Sequence, residues 1–313
     1  MQLAKSRNSK IREELVKFNL ISESALELLS LGTRDNSEIE VFRDKTSGVI
    51  FHDFYLGEDF YRLTNGGFDG LNRNSTLPSS PQQSGIRFEL HQDSQRRCID
   101  NLPFIANRLV LDYGFGEGWF LKNARHLAKE VCGVELNSFC CEKLQSEGIN
   151  CWSHFPKNVE VDTVTMFHTL EHMPSQIEAL SDVYNALKNS STRQSSAGLV
   201  IVEVPHARDF LLTSLESKEF RKYTLRSDHC VLHTRESLLK FMNHAGFERV
   251  SVRSVQRYPL SNHLTWVTRN KPGGHMGDLS VIDSINLNSE YEKSLANIDA
   301  TDTLVAFGWV GAS

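Results

Sequence analysis

No stretch of this chain approaches the roughly 18 consecutive apolar residues of a membrane span, and MQLAKSRNSKIREELVKF at the N-terminus has no apolar signal core. A membrane-spanning or secreted protein is therefore not expected, and a cytoplasmic one is. The six cysteines (Cys98, Cys132, Cys140, Cys141, Cys151 and Cys230) contain no C-x-x-C pair. Several lie in apolar runs and read as reduced core thiols rather than redox or zinc ligands. A strong charge of either sign is also missing: the formal net charge is -5. That removes the electrostatic reason to expect nucleic acid or an anionic membrane as partner. No internal repeat is visible.

What is present is an ordinary globular composition, 313 residues with 40% hydrophobic and 23% charged. That is enough for one large domain or two small ones. The most informative stretch is Leu109-Val-Leu-Asp-Tyr-Gly-Phe-Gly-Glu-Gly118-Trp-Phe-Leu. It reads as a buried strand, a glycine-packed turn (Gly114, Gly116, Gly118) and the first turn of a helix, a nucleotide-sized site. The dinucleotide fingerprint G-x-G-x-x-G needs its third glycine where Trp119 stands, and Glu117 would repel a pyrophosphate at the helix N-terminus. A nicotinamide oxidoreductase is disfavoured on both counts. A cofactor carrying a sulfonium and an ammonium suits Asp112 and an acidic turn. Glu135, ending the short strand Val131-Cys-Gly-Val, lies at about the 20-residue interval expected of a ribose-binding acid.

With Asp112, Gly114, Gly116, Gly118 and Glu135 in these positions, the sequence resembles the class I S-adenosylmethionine-dependent methyltransferases. The resemblance implies S-adenosylmethionine as cofactor. From about residue 95 strands and helices alternate, as in an α/β protein with a parallel sheet. Strands are expected near 109–113, 131–135, 149–152, 161–167 and 198–204, and helices near 117–129, 138–147 and 175–189. A helix capped by Thr234 and ended by Gly246 leads to a sixth strand from Phe247. A seventh spans 303–310, with no helix of convincing length before it, which favours antiparallel pairing. The resemblance implies a Rossmann-like seven-stranded sheet in the order 3-2-1-4-5-7-6. The expected domains are 1–94 (N-terminal α+β extension) and 95–313 (methyltransferase), the second including an insertion, 255–302, that caps the substrate.

Within the extension, residues 9–31 read as two short helices, Ser22 capping the second and Gly32 stopping it. Ile39–Arg43 and Val49–Phe54 read as a hairpin around 44–48, and the Gly, Ser, Asn and Pro-rich stretch 65–85 as a linker or lid. Relatives acting on sugars carry a zinc module ending in C-x-x-C-G-x-x-F. The hairpin has that shape without cysteines, so no zinc is expected there. Tyr55, Phe60 and Tyr61 contact the acceptor or pack in the core.

Methyl transfer to a hydroxyl needs an aligned acceptor and a base, and histidine is the natural base. After the fourth strand comes Met166-Phe-His-Thr-Leu-Glu-His172-Met-Pro174. By the resemblance it lies beside the methionine part of the cofactor, so Phe167, His168, Glu171 and His172 line the site. It is also H-x-x-E-H, a zinc-hydrolase pattern that works only on a helix. Pro174 and the preceding strand leave little room for one, so no metal is expected. The stretch Ser227-Asp-His229-Cys-Val-Leu-His233 resembles the acid-His segment of sugar methyltransferases. That makes His229 the candidate base and Asp228 its orienting partner, with His168 as a further catalytic candidate. Candidate acceptor contacts are His172, His206, His233, Arg257, Tyr258, Asn262, His263 and His275. The expected acceptor is a small polar molecule, a sugar or glycan-precursor hydroxyl. An N- or C-methyltransferase and a non-catalytic cofactor-binding protein remain as alternatives.

Overall fold

The computed structural model describes residues 7–8, 10–63, 81–190 and 197–311. Its strands in chain order are β1 (Arg7–Asn8), β2 (Leu26–Leu31), β3 (Glu40–Asp44), β4 (Ile50–Phe51), β5 (Phe54–Tyr55), β6 (Leu109–Tyr113) and β7 (Glu130–Val134). They continue as β8 (Asn150–Trp152), β9 (Thr163–Phe167), β10 (Gly198–Pro205), β11 (Val231–Leu232), β12 (Arg249–Val255) and β13 (Thr303–Val310). The helices are α1 (Ile11–Lys17), α2 (Glu58–Leu63), α3 (Pro81–Asp100), α4 (Leu102–Ile105), α5 (Trp119–Ala124) and α6 (Ser138–Ser146). After them come α7 (Gln176–Asn189), α8 (Phe210–Thr213), α9 (Lys218–Thr224), α10 (Arg235–His244), α11 (Leu260–Arg269) and α12 (Ile285–Asn297).

Strands buried nearly throughout take the middle of the main sheet. β9 is buried at every residue, and β10 at every residue but the last. Runs apolar on both faces are what strands covered by helices on each side require. Alternate residues of β10 serve opposite layers: Val200, Val202 and Val204 join one core cluster, Leu199 and Ile201 the other. Each such buried side chain stabilises the fold by about 1.5–3 kcal/mol. β12 instead alternates exposed Arg249, Ser251 and Arg253 with half-buried Val250 and Val252, as an edge strand should. The observed order is β12-β13-β10-β9-β6-β7-β8, with β13 antiparallel to both neighbours. Read from its other end, that is the expected 3-2-1-4-5-7-6.

The N-terminal region departs from expectation in one element. Leu26–Leu31, read as a second helix, is strand β2, paired with β3 through a register shift between Leu28 and Ser30. Six residues of mixed Leu, Glu and Ser fit either period, and pairing with the hairpin decides. Ser22 opens a turn instead of capping a helix, its carbonyl accepting from Ala25 N–H at 2.9 Å. The hairpin forms as read, β3 against β4. Of the expected linker or lid, residues 64–80 lie outside the described residues, and the chain is helical from Pro81.

Two boundaries shift as well. The expected division at 94/95 falls inside α3. The four-stranded N-terminal sheet, β11-β4-β3-β2, takes its last strand from the far side of that division. Through α1, Glu14 caps α7: its carboxylate accepts from Ser175 Oγ (3.1 Å) and from the N–H groups of Gln176 (3.2 Å) and Ile177 (3.3 Å). A carboxylate at a helix N-terminus meets both the free N–H groups and the positive end of the dipole. The insertion between β12 and β13 is not a loop without helices, since it holds α11 and α12. β13 still returns antiparallel to β12, paired from Arg249 with Trp309 to Val255 with Thr303.

Candidate functional site

The glycine turn joins β6 to α5 at the carboxyl edge of the sheet. Gly114 has φ +80°, and a Cβ there would collide with the Thr169 side chain. Gly116 has φ +57°, and a Cβ on it would meet no heavy atom within 4 Å. The first is glycine because the strand-end loop of β9 packs on it. The second leaves open space at a left-handed position that L side chains rarely adopt. Glu135 closes the turn from β7: its carboxylate accepts from Gly116 N–H (2.9 Å) and Asn137 N–H (3.0 Å). A carboxylate has about four acceptor sites, so two remain for a diol. Asp112 is buried and accepts from the Thr165 hydroxyl at 2.8 Å, and burial pushes its pKa up to about 7. Gly118 precedes α5, and Glu117 accepts from the Trp119 ring N–H at 3.2 Å.

Beside the turn, the ends of β9 and β10 carry an ionic cluster that sequence reasoning missed. Glu203 is the lone charged residue of β10 and is 1% exposed. Arg96 (2.9 and 3.1 Å) and Arg97 (2.6 and 3.1 Å) of α3 both donate to it. Its pKa lies well below the ordinary value: burial raises it, and Arg97, His168 and Arg96 more than reverse that. The readable signals were a glutamate inside Gly198-Leu-Val-Ile-Val-Glu-Val and paired arginines at the end of α3.

His168 occupies the left-handed region at φ +51° as the chain leaves β9. A non-glycine residue is held there at a cost of about 1–3 kcal/mol, an outlier of the kind that clusters at functional sites. Its Nδ1 lies 3.0 Å from Glu171 Oε1, and its Nε2 lies 2.8 Å from Arg257 Nη1 and 3.3 Å from Glu203 Oε1. Arg257 in turn pairs with Asp93 of α3. Burial and Arg257 press the imidazole toward neutrality, but hydrogen bonds to Glu171 and Glu203 outweigh them and raise its pKa. Arg257 thus brings the insertion onto the strand ends. Asp302 anchors it there by accepting from the backbone N–H groups of Arg257 (3.0 Å) and Tyr258 (3.1 Å).

A second constellation lies behind His168. Glu171, His172 and His229 each present a ligand-type atom within 4.8 Å of the others. Backbone bonds fix the group. Cys230 N–H donates to the Glu171 carbonyl (2.8 Å), and His172 Nδ1 meets the Asp228 carbonyl (2.8 Å). The β11–β4 pairing starts two residues after His229, so the N-terminal sheet holds this loop in place. Tyr61 places its ring edgewise to His172 at 6.0 Å, and His172 meets His229 at 4.8 Å. Among the described residues, the buried Glu171 Oε2, His229 Nδ1 and Tyr61 hydroxyl find no hydrogen-bond partner. No metal ligand was expected here. The two histidines of H-x-x-E-H do not converge, because Leu170–His172 makes only a single 3-10 turn. The second imidazole comes instead from His229.

The structure changes the setting of His229 and Asp228. Burial pushes the His229 pKa down to about 3, far below the range of an effective base at neutral pH. Asp228 lies 3.9 Å from His229 Nε2, beyond a hydrogen bond, and is clamped by Arg226 at 2.8 and 2.7 Å. Arg226 is the partner that sequence reasoning did not name for it.

The other named residues separate into near and far. Phe167 packs against Phe120 (4.9 Å) beneath the Arg97 guanidinium, in the core. His206 meets the Thr301 carbonyl at 2.9 Å and holds the insertion's return. His233 is fully buried, its Nδ1 against Ser237 Oγ (2.8 Å) and Nε2 against Gln176 Oε1 (2.7 Å), with no atom left for an acceptor. Asn262 Oδ1 accepts from the Gly273 and Gly274 N–H groups, and His263 stacks on Phe210 and meets the Tyr291 hydroxyl, so both build the insertion itself. Tyr258 and His275 pack together at 5.2 Å, and His275 reaches Glu89 of α3 at 2.9 Å. These contacts seat the insertion on α3.

No curated protein matches the chain. Among solved structures, a chain of the Haloferax volcanii complex between the Trm112 methyltransferase activator and a methyltransferase is 12% identical. The match covers 72% of this chain and 92% of that one, with a TM-score of 0.48. An Archaeoglobus fulgidus S-adenosylmethionine-dependent methyltransferase is 16% identical, covering 70% and 94%, with a TM-score of 0.45. The magnesium protoporphyrin IX methyltransferase of Synechocystis is 18% identical, covering 64% and 93%, also at 0.45. The profile of a methyltransferase-domain family matches residues 90–252, just over half of the chain and the span from α3 to the middle of β12. With the glycine turn, Glu135 closing it from β7 and the seven-stranded sheet, the chain belongs to the class I S-adenosylmethionine-dependent methyltransferases.

Proposed function

We propose that the enzyme methylates a hydroxyl of a small polar molecule of sugar type, received in the corner made by Tyr61, Glu171, His172 and His229. The observation that carries this is the set of three buried polar atoms there without partners: Glu171 Oε2, His229 Nδ1 and the Tyr61 hydroxyl. Each such atom costs about 1–3 kcal/mol of desolvation, which a hydroxylated acceptor would recover by hydrogen bonding. An apolar acceptor would leave that cost standing.

Asp112, the open left-handed Gly116 and Glu135 would hold the cofactor, Glu135 offering its remaining acceptor sites to the ribose hydroxyls. When bound, S-adenosylmethionine supplies an electrophilic methyl group on a sulfonium, so the chemistry asks the protein mainly for alignment and exclusion of water. The chain's own residues do that work. His168, locked between Glu171, Glu203 and Arg257, rigidifies the junction of the two halves of the site. Neutral His229 receives an acceptor hydroxyl as a hydrogen-bond acceptor. The aromatic faces of Tyr61 and His172 orient the acceptor's ring.

The test is transfer of labelled methyl from S-adenosylmethionine to a panel of sugars, sugar nucleotides and amines. Label in alkali-stable ethers of the sugars is expected. His229→Ala should abolish it while S-adenosylhomocysteine affinity stays within about twofold of wild type. Label confined to amines would overturn the reading, as would a His229→Ala enzyme of near-normal turnover.

A further inference from the structure

We infer that Glu171, His172 and His229 form a binding site for a first-row divalent cation, open on the side that faces the acceptor; this deepens the proposed hydroxyl methylation and rests on its placement of the acceptor. The donor atoms are already arranged as ligands. Glu171 is fully buried, its Oε1 engaged by His168 Nδ1 at 3.0 Å, and Oε2 is left without a partner among the described residues. His172 uses Nδ1 on the Asp228 carbonyl at 2.8 Å, which fixes its tautomer and leaves Nε2 as the ligating nitrogen. His229 has a buried, unpartnered Nδ1. One ligand-type atom of each residue lies within 4.8 Å of those of the other two.

That is the supporting arrangement that orients ligands in metalloproteins: a histidine whose second nitrogen is held by a carbonyl, and a carboxylate whose second oxygen is held by a neighbouring group. The Cys230 N–H to Glu171 carbonyl bond ties the segment carrying Glu171 and His172 to the loop carrying His229. The donors therefore converge without a ligand to gather them.

The donor set also selects the ion. Two imidazoles and one carboxylate favour zinc, manganese or another first-row transition ion over magnesium or calcium, which prefer oxygen ligands throughout. Three protein ligands leave at least one position open, so with the ion bound the acceptor hydroxyl meets Glu171 and His229 through the cation in place of direct hydrogen bonds to them. A hydroxyl oxygen of the acceptor bound there is acidified, as metal-bound water is. Its O–H bond breaks with loss of the proton to solvent. The oxygen lone pair then forms the C–O bond while the C–S electrons return to sulfur, giving methyl ether, S-adenosylhomocysteine and one proton.

The test uses the full chain, stripped with chelator and titrated with zinc, manganese and magnesium chlorides by calorimetry, with bound metal counted by mass spectrometry. Zinc or manganese should bind at one ion per chain and more tightly than magnesium. Glu171→Gln and His229→Ala should each weaken that binding on the order of a hundredfold or more, and exposed His126→Ala should not change it. Circular dichroism identifies any variant that fails to fold, and the other variant then decides. Saturable binding of no cation, or equal binding in wild type and a folded Glu171→Gln or His229→Ala, overturns the site. Ether formation by the stripped enzyme would overturn the cation's role and leave the hydroxyl acceptor standing. Tight, variant-sensitive metal binding without ether formation would keep the site and remove the acceptor reading.

Discussion

Replacing Glu203 by glutamine keeps the size of the side chain and removes its charge from a buried ionic cluster. Glu203 is 1% exposed and accepts from both Arg96 and Arg97, whose side chains are 25% and 11% exposed. Removing one partner of a buried pair costs about 3–5 kcal/mol, because the opposite charge stays behind without compensation. Two features pull the value to the low end. Arg96 keeps Asp93 (3.3 Å) and Asp100 (3.2 Å), and Arg97 keeps its seat over the Phe167 ring at 4.7 Å. A loss of about 3 kcal/mol at pH 7 is expected in urea unfolding. In a double-mutant cycle with Arg97→Met, the coupling should reach about 1.5 kcal/mol. The pH dependence checks the cause. A carboxyl group whose folded pKa is depressed contributes stability that is present above its ordinary value of 4.5 and lost as pH falls toward the folded value. The gap between wild type and Glu203→Gln should therefore narrow below pH 4.5. A loss under about 1 kcal/mol at pH 7 would refute the assignment of the cluster as an ion-paired clamp. So would a gap that stays constant in acid.

Two further outcomes follow from the same geometry. Gly116→Ala places a methyl group in open space at φ +57°, so it should cost only about 1–2 kcal/mol of stability while weakening S-adenosylhomocysteine binding tenfold or more; unchanged affinity in calorimetry would show that the cofactor does not use this space. Glu171 has its pKa lowered to about 2 from 4.5, where burial would raise it and His168, through its hydrogen bond and charge, prevails. In the metal-free protein its contribution is present above pH 4.5 and lost between 4.5 and 2, an amount of about 3 kcal/mol shared with His168. Acid titration of Glu171→Gln should show a flatter limb in that window, and a limb identical to wild type would contradict the pairing.

The sheet and the glycine turn were legible because their signals are local. Strands β6, β9 and β10 announce themselves as apolar runs, and Gly114, Gly116 and Gly118 stand where one strand must hand over to a helix. The element that misled was local too. Leu26-Glu-Leu-Leu-Ser-Leu satisfies helical and extended periods alike, and its partner β3 lies nine residues ahead, where periodicity cannot see it. The helices of the insertion were hidden for another reason. Asp302 and Gln256 hold its two ends together at the base of β12 and β13, and the hydrogen bond from Gln256 Nε2 to Asp302 at 2.9 Å spans 46 residues.

His229 shows why naming a residue differs from reading its role. Its segment was recognisable, but its protonation state depends on burial created by β11 docking on β4, an N-terminal strand about 180 residues away. The H-x-x-E-H segment shows the same separation of local pattern from setting. Leu170–His172 makes a single 3-10 turn, so no helix brings His168 and His172 to one face. A carbonyl-bound His172 and a backbone bond from Cys230 to Glu171 nevertheless recruit an imidazole 57 residues downstream. Pairing of the N-terminal hairpin with β11 is thus what converts two separate local patterns into one polar corner. Variants that loosen that pairing, remote from any acceptor, should disturb the corner before they disturb the glycine turn, which is built on β6, β7, α5 and the end of β9.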